Sequence, residues 1–166
     1  ISDTSYGYDA ELSINITSTN QIAVYTSNGM NDTLFDFKAV TPPAAGSVIL
    51  MSNETSNTTT GETGFLIQNQ GNVNVSINVS SDKTAATLIG GTASLFQLFG
   101  GVNESGACAN LNTSMQDLGT GKILCPSLRY TDSSDTIWGF ILIKIDSDSP
   151  PQANSAVLTF TSTEVQ

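Results

Sequence analysis

The 166-residue chain reads as all-β: an antiparallel β-sandwich of jelly-roll type with at most one short helix. Three observations carry this expectation. Apolar and polar residues alternate with period two in one segment after another, which puts one face of a strand into a core and the other into water. Each segment is bounded by Gly, Pro, Asn, Asp or Ser, the residues that turn a chain. No apolar run is long enough to span a membrane as a helix.

The first strand is the most regular. Tyr6, Tyr8, Ala10, Leu12, Ile14 and Ile16 fall on one side, and Ser5, Gly7, Asp9, Glu11, Ser13, Asn15 and Thr17 on the other. Twelve extended residues span about 40 Å at about 3.3 Å each, roughly twice a typical strand. Two readings fit. The segment is a long first strand crossing between two sheets of its own sandwich, or part of it completes the sheet of another molecule. Residues 1–17 are accordingly an N-terminal extended strand open to donation, and residues 18–166 the sandwich domain.

The strands expected next are Gln21–Thr26, Thr33–Lys38, Ser47–Ser52, Gly64–Asn69, Val73–Ser80, Lys122–Tyr130, Thr136–Ile145 and Ala156–Thr163. Their spacing is that of a sandwich or jelly roll. Thr92–Phe99 differs. It lies between Gly90-Gly91 and Gly100-Gly101 with apolar residues at helical spacing and Thr92 as an N-cap, which predicts a short helix plugging one end, with Phe96 and Phe99 in the core. Thr136–Ile145 is apolar on both faces. Its outer side is therefore covered by that helix or meets another molecule.

Composition narrows function. The chain has no His, and Lys38, Lys83, Lys122, Arg129 and Lys144 face fifteen carboxylates, for a net charge of −10. Five scattered cations cannot neutralise a run of phosphates, so nucleic acid is excluded as a partner. Anionic lipid would repel the same surface. Charged residues are only 12% of the chain, while Ser, Thr and Asn number 21, 21 and 14. A surface of hydroxyls and amides suits an exported, glycosylated or assembled protein. The chain begins at Ile1, as a mature protein does once a signal segment is removed, so an extracellular, cell-surface location is expected. Type IV pilins and archaellins are excluded, because their mature chains keep a long apolar N-terminal helix.

Asn-X-Ser/Thr without Pro occurs at Asn15, Asn31, Asn53, Asn57, Asn74, Asn78, Asn103 and Asn112. In Val73–Ser80 the apolar residues share one face, leaving Asn74 and Asn78 on the solvent face, where a glycan fits. N-linked glycans are expected at several of these sites. Cys108 and Cys125 are an even pair separated by a turn-rich loop, which favours a disulfide in an exported chain; unlinked buried thiols are the alternative. Two Cys without His cannot make a zinc site.

An enzyme is disfavoured. General acid/base work near neutral pH most often uses His, and a Ser nucleophile would lack its usual base. The nearest paired carboxylates, Asp132/Asp135 and Asp146/Asp148, lie in Ser- and Pro-rich turns that read as solvated loops, so no catalytic residue and no organic cofactor is assigned. Asp146 and Asp148 are the one metal candidate, for Ca²⁺. A carbohydrate-binding or adhesin module is the alternative class. It needs exposed aromatics, and with Trp138 in a core strand only Tyr6, Tyr8, Tyr25 and Tyr130 remain.

Two stretches resemble a family. Phe65–Val79 has a strand, an Asn-X-Gly turn at Asn69-Gln70-Gly71 and a second strand. Trp138–Ile145, followed by Asp148-Ser149-Pro150-Pro151 and Ala156–Thr161, has the form of a closing hairpin. With the N-terminal strand these are similar to subunits of the TasA/camelysin type and of archaeal bundling pili and threads. The resemblance implies a jelly-roll subunit that lends its N-terminal strand to its neighbour, often under heavy glycosylation. The Cys pair and the Gly-flanked Phe segment are outside that pattern. The expected function is thus a structural subunit of an extracellular filament, a head-to-tail homopolymer joined by donated strands. Burying Tyr6, Tyr8, Leu12, Ile14 and Ile16 would gross on the order of 10 kcal/mol before ordering costs.

Overall fold

The computed structural model describes residues 10–18, 21–26, 34–40, 43–51, 64–150 and 154–166. The strands are β1 (Ala10–Ser18), β2 (Ile22–Thr26), β3 (Leu34–Val40), β4 (Ser47–Met51), β5 (Phe65–Asn69) and β6 (Val75–Ser81). After one helical turn, α1 (Ala85–Leu88), come β7 (Leu95–Val102), β8 (Cys108–Ala109), β9 (Gln116–Asp117), β10 (Lys122–Leu128), β11 (Thr136–Asp146) and β12 (Asn154–Glu164). They form two packed sheets, ordered β3-β1-β12-β6-β10-β8 and β2-β5-β11-β7-β9, with β4 also paired to β11. The fold is an all-β sandwich, mostly antiparallel, with one short helix.

Alternation explains the core. In β5 and β6 every second residue is buried, so Phe65, Ile67, Val75, Ile77 and Val79 point between the sheets, where Leu124, Ala156, Leu158 and Phe160 meet them from the other strands. Phe65 and Phe160 close across the gap edge to face, ring centroids 5.7 Å apart. Gly139 of β11 brings its backbone close to the facing side chains: a Cβ there would sit 3.3 Å from Ile67 Cδ1 and 3.6 Å from Leu124 Cδ2.

β11 is the spine of its sheet. Along one edge it pairs with β7 over Ile137–Lys144. Along the other it pairs with β5 over Thr136–Gly139 and then with β4 over Leu142–Asp146. Its faces are buried as well, the inner one at Ile137, Ile141 and Ile143 and the outer one at Phe140 and Leu142, so apolar residues serve on both sides.

The helix expected over Thr92–Phe99 is a correction. Leu95–Val102 is strand β7, with Phe96 and Leu98 buried on one face and Leu95, Gln97 and Phe99 half-buried on the other. Leu95, Phe96, Leu98 and Phe99 satisfy both helical spacing and a strand apolar on both faces, and an eight-residue ladder to β11 decides between them. The helical turn starts at Ala85, seven residues before Thr92, where the Thr84 N–H donates to Thr87 Oγ1 at 2.9 Å and Leu88 is buried. A helical cover over β11 is thereby overturned. Phe99 instead meets Phe140 sideways from the next strand, centroids 5.2 Å apart, and Trp138 stacks on Phe140 at 6.2 Å.

The strand ends define two poles. Asn69, Val75, Leu128, Thr136 and Glu164 gather at one, called here the Asn69 end, through the pairings Leu128 with Val75, Glu164 with Val75 and Thr136 with Gln68. Ser81, Lys122, Asp146 and α1 gather at the other, the Asp146 end.

Candidate functional site

The strand expected to be open to donation, β1, has two neighbours in its sheet. β1 lies between β3 and β12. It pairs with β12 in parallel over seven registered positions, from Leu12 opposite Asn154 to Ser18 opposite Phe160, and with β3 antiparallel from Ala10 opposite Val40 to Asn15 opposite Leu34. Every other strand pair among the described residues is antiparallel. Ile14 and Ile16 fall opposite Ala156 and Leu158, two fully buried residues of β12. The apolar set of β1 thus shares register with the buried set of its neighbour. Tyr6 and Tyr8 lie outside the described residues.

Three residues, Thr19, Asn20 and Gln21, join β1 in one sheet to β2 in the other. Gln21 fastens this crossing at both sides: its carbonyl accepts from Gln70 N–H at 2.9 Å, and its Nε2 donates to Glu164 Oε1 at 3.2 Å. β2 is anchored separately by five registered pairs to β5 and by buried Ile22 and Val24.

At the same pole, Asn69 is buried and fully used. Its Nδ2 donates to the carbonyls of Val73 and Leu128, at 2.9 and 3.2 Å, while its Oδ1 accepts from Gly71 N–H at 2.9 Å. This closes the Asn-X-Gly turn and ties it to β10. Beside it, Glu104 Oε2 accepts the N–H groups of Asp135 and Thr136 at 2.8 and 3.0 Å. Burial works to raise the Glu104 carboxyl, but the hydrogen bonds from Thr136 and Asp135 outweigh it and hold it below the ordinary range. Asp135 is buried and its carboxyl is pushed up, first by desolvation; Gln68 Nε2, 3.2 Å away, opposes this and Glu104 and Asp132 add to it. Sequence reading paired Asp135 with Asp132 and missed Glu104, thirty-one positions away, for which no local pattern gives a signal.

Asp146 and Asp148 hold a loop. Asp146 Oδ2 accepts from Ala93 N–H at 2.7 Å and its other oxygen lies 3.8 Å from Lys144 Nζ. Asp148 accepts from Thr92 N–H, at 3.0 and 3.2 Å to its two oxygens, and from the Thr92 hydroxyl, which holds its carboxyl below the ordinary range. The pair thereby clamps the segment between α1 and β7. Among the described residues no three His, Cys, Asp or Glu side chains gather as a metal-binding group.

Cys108 of β8 and Cys125 of β10 form a disulfide, Cα atoms 6.0 Å apart. Of the sequons, Asn78 falls on the outer face of β6 and Asn74 just ahead of that strand, and both are half-buried. Asn78 Oδ1 is buried without a partner, and its amide lies against Gly121, where a Cβ would come within 2.8 Å of Nδ2. Asn103 is exposed with Nδ2 donating to Thr136 Oγ1 at 2.9 Å, and Asn112 Oδ1 accepts from Ser114 N–H at 3.1 Å. Asn15 is a backbone position in β1; Asn31, Asn53 and Asn57 fall outside the described residues. No helix among the described residues is long and apolar enough to cross a membrane.

An open groove of about 320 Å³ beside α1 is lined by Thr84, Thr92, Ser94, Asp117 and the buried edge of Phe96. It offers hydroxyls and one carboxylate but no exposed aromatic platform. Comparison with known proteins gives no matching family and no matching curated sequence.

Proposed function

We propose that this chain is a non-catalytic structural subunit of an extracellular filament, in which the N-terminal strand of one copy completes the sheet of the next. The observation that carries this is the seat of β1: a first strand, held between β3 and β12 by main-chain ladders on both sides, in a fold where its neighbours pair antiparallel. A ladder of this kind is made of backbone groups that every copy of the chain possesses, so the seat accepts a strand from a second molecule as well as its own. The disulfide and the sequon-rich, hydroxyl-rich composition support a place outside the cell, with glycan on several Asn residues. Donation from one subunit to the next is heterologous and gives an open polymer unless the rotation closes.

The test is replacement of Leu12 or Ile14 by Asp, with electron microscopy of the native material and the variants. A carboxylate in an apolar seat costs several kcal/mol, so fibre formation should be lost. The variant should stay soluble and regain a near-native melting temperature when a wild-type peptide of residues 1–17 is added. Variants that assemble like the wild type would sink the proposal.

A further inference from the structure

Given the exported, glycan-bearing chain proposed above, we infer that Asn112 carries an N-linked glycan in the folded protein and that Asn78 does not. Both stand in an Asn-X-Ser triplet, so the sequence alone does not separate them. The structure does. A carboxamide nitrogen is a weak nucleophile, because its lone pair is shared with the carbonyl. To take a sugar it must be reachable and free of other donations, and a hydrogen bond to its own oxygen helps by drawing charge there and easing loss of an Nδ2 proton.

Asn112 meets each of these needs. It lies in the connection between β8 and β9, and its backbone is fixed from both sheets: its N–H donates to the carbonyl of Leu124 at 2.9 Å, and its carbonyl accepts from Gly100 N–H at 2.7 Å. The side chain folds over its own sequon. Oδ1 accepts from the N–H of Ser114, the third residue of the triplet, at 3.1 Å, which is an Asx turn. Nδ2 has no hydrogen-bond partner among the described residues, and the buried side-chain polar atoms left unpartnered there are Asn78 Oδ1 and Gln116 Nε2; Asn112 Nδ2 therefore meets water. Thr113 and Ser114 are exposed, so a transferase can reach the whole triplet.

The other described sequons lack this arrangement. Asn78 lies inside β6, opposite Thr161 of β12 and Ile123 of β10, and Ser80 lies opposite Thr159. The ladder holds both residues extended, so an Asx turn between them would break it. Asn78 Oδ1 is sealed from water, and the amide lies against Gly121. Ser76 and Thr17, the third residues of the triplets at Asn74 and Asn15, are held in ladders in the same way, opposite Thr163 and Thr159. Asn103 is exposed, but its Nδ2 is turned onto Thr136 Oγ1.

The co-substrate class is a lipid-linked sugar, whose C1 is bonded to a phosphate oxygen. Transfer forms the bond from C1 to Asn112 Nδ2 and breaks the bond from C1 to oxygen. The electron pair of the broken bond leaves on the lipid phosphate, and one Nδ2 proton goes to a base of the transferase.

The test takes full-length protein from its native source, digests it, and assigns glycan to individual residues by mass spectrometry of the glycopeptides. The expected result is a glycan mass on Asn112 and the unmodified mass at Asn78. In the native host, Asn112→Gln should lower the intact mass by one glycan, whereas Asn78→Gln should change it only by the substitution. A bare Asn112 on a chain glycosylated elsewhere, or a glycan on Asn78, overturns the inference and leaves the exported glycoprotein standing. A chain without glycan at any Asn sinks the glycoprotein part of the proposed function, and the inference with it.

Discussion

Gly101 lies beneath the ring of Phe140, so that a Cβ at position 101 would overlap ring atom Cε2 and lie 3.0 Å from Cζ. Gly64 approaches the other side of the same ring, where a Cβ would be 2.7 Å from Cδ1. The phenyl group of β11 thus rests on two positions without side chains, and this lets it be 4% exposed on the outer face of its sheet. Gly101→Ala is expected to destabilise by about 1–3 kcal/mol through overpacking. Combining it with Phe140→Leu should recover part of the loss, and urea unfolding of both single variants and the double variant measures that coupling. A neutral Gly101→Ala would show that the ring moves aside at no cost.

Asn69 makes three hydrogen bonds from a site 2% exposed. Asn69→Ala should cost about 1–3 kcal/mol by leaving buried backbone groups unpaired. Asn69→Asp should cost more at pH 7 than Asn69→Ala, because a carboxylate would face the carbonyls of Val73 and Leu128 with nothing to donate. Its deficit should shrink as the pH falls and the acid protonates. Thermal melts from pH 3 to 7 report the difference.

Replacing Cys108 and Cys125 by Ala removes a cross-link that closes a loop with a sequence separation of 17. The chain-entropy account gives about 3 kcal/mol for a loop of this size. The expected outcome is a lower guanidinium midpoint for the double variant, matched by the wild type after reduction. Equal midpoints for the oxidised and reduced wild type would contradict it.

Asp135 gives stability a definite pH sign. Its carboxyl is raised by burial from an ordinary value of 3.8, so the folded state holds the proton more tightly than the unfolded chain. The stabilisation is full below the unfolded value and is lost as pH rises through the raised folded value. Asp135→Asn keeps an acceptor for Gln68 and removes the charge, so it should melt higher than the wild type at pH 7. The gap should close as the pH falls below 3.8. A variant that melts lower at pH 7 and keeps its deficit in acid would refute this.

Strands with one apolar and one polar face were legible in the sequence. Val73–Ser80 and Gly64–Asn69 announce β6 and β5 because Val75, Ile77 and Val79 or Phe65 and Ile67 each need only a period of two and a turn on either side. β7 was not legible. Leu95, Phe96, Leu98 and Phe99 carry apolar groups on both faces, and the information that makes them a strand resides in β11, some forty positions later. The two-residue strands β8 and β9 have no pattern of their own and exist through β10 and β7. The same limit applies to the candidate site: alternation announces β1, yet its partners β3 and β12, the contact of Gln21 with Glu164 and the cap of Glu104 on Asp135 join residues far apart in the chain.

The pairing of β1 with β12 joins the first described strand to the last. A chain made from its N-terminus has β1 in hand while everything from Ser18 to Asn154 is still to come, an interval on the order of ten seconds at about 5–20 residues per second. For that time the strand can find β3 but not the partner that supplies its longer ladder, and contacts between chain ends are the slowest to form in any case. The order of synthesis therefore leaves β1 half-paired until β12 is made, and the sheet of β3, β1 and β12 is among the last parts of the fold to close.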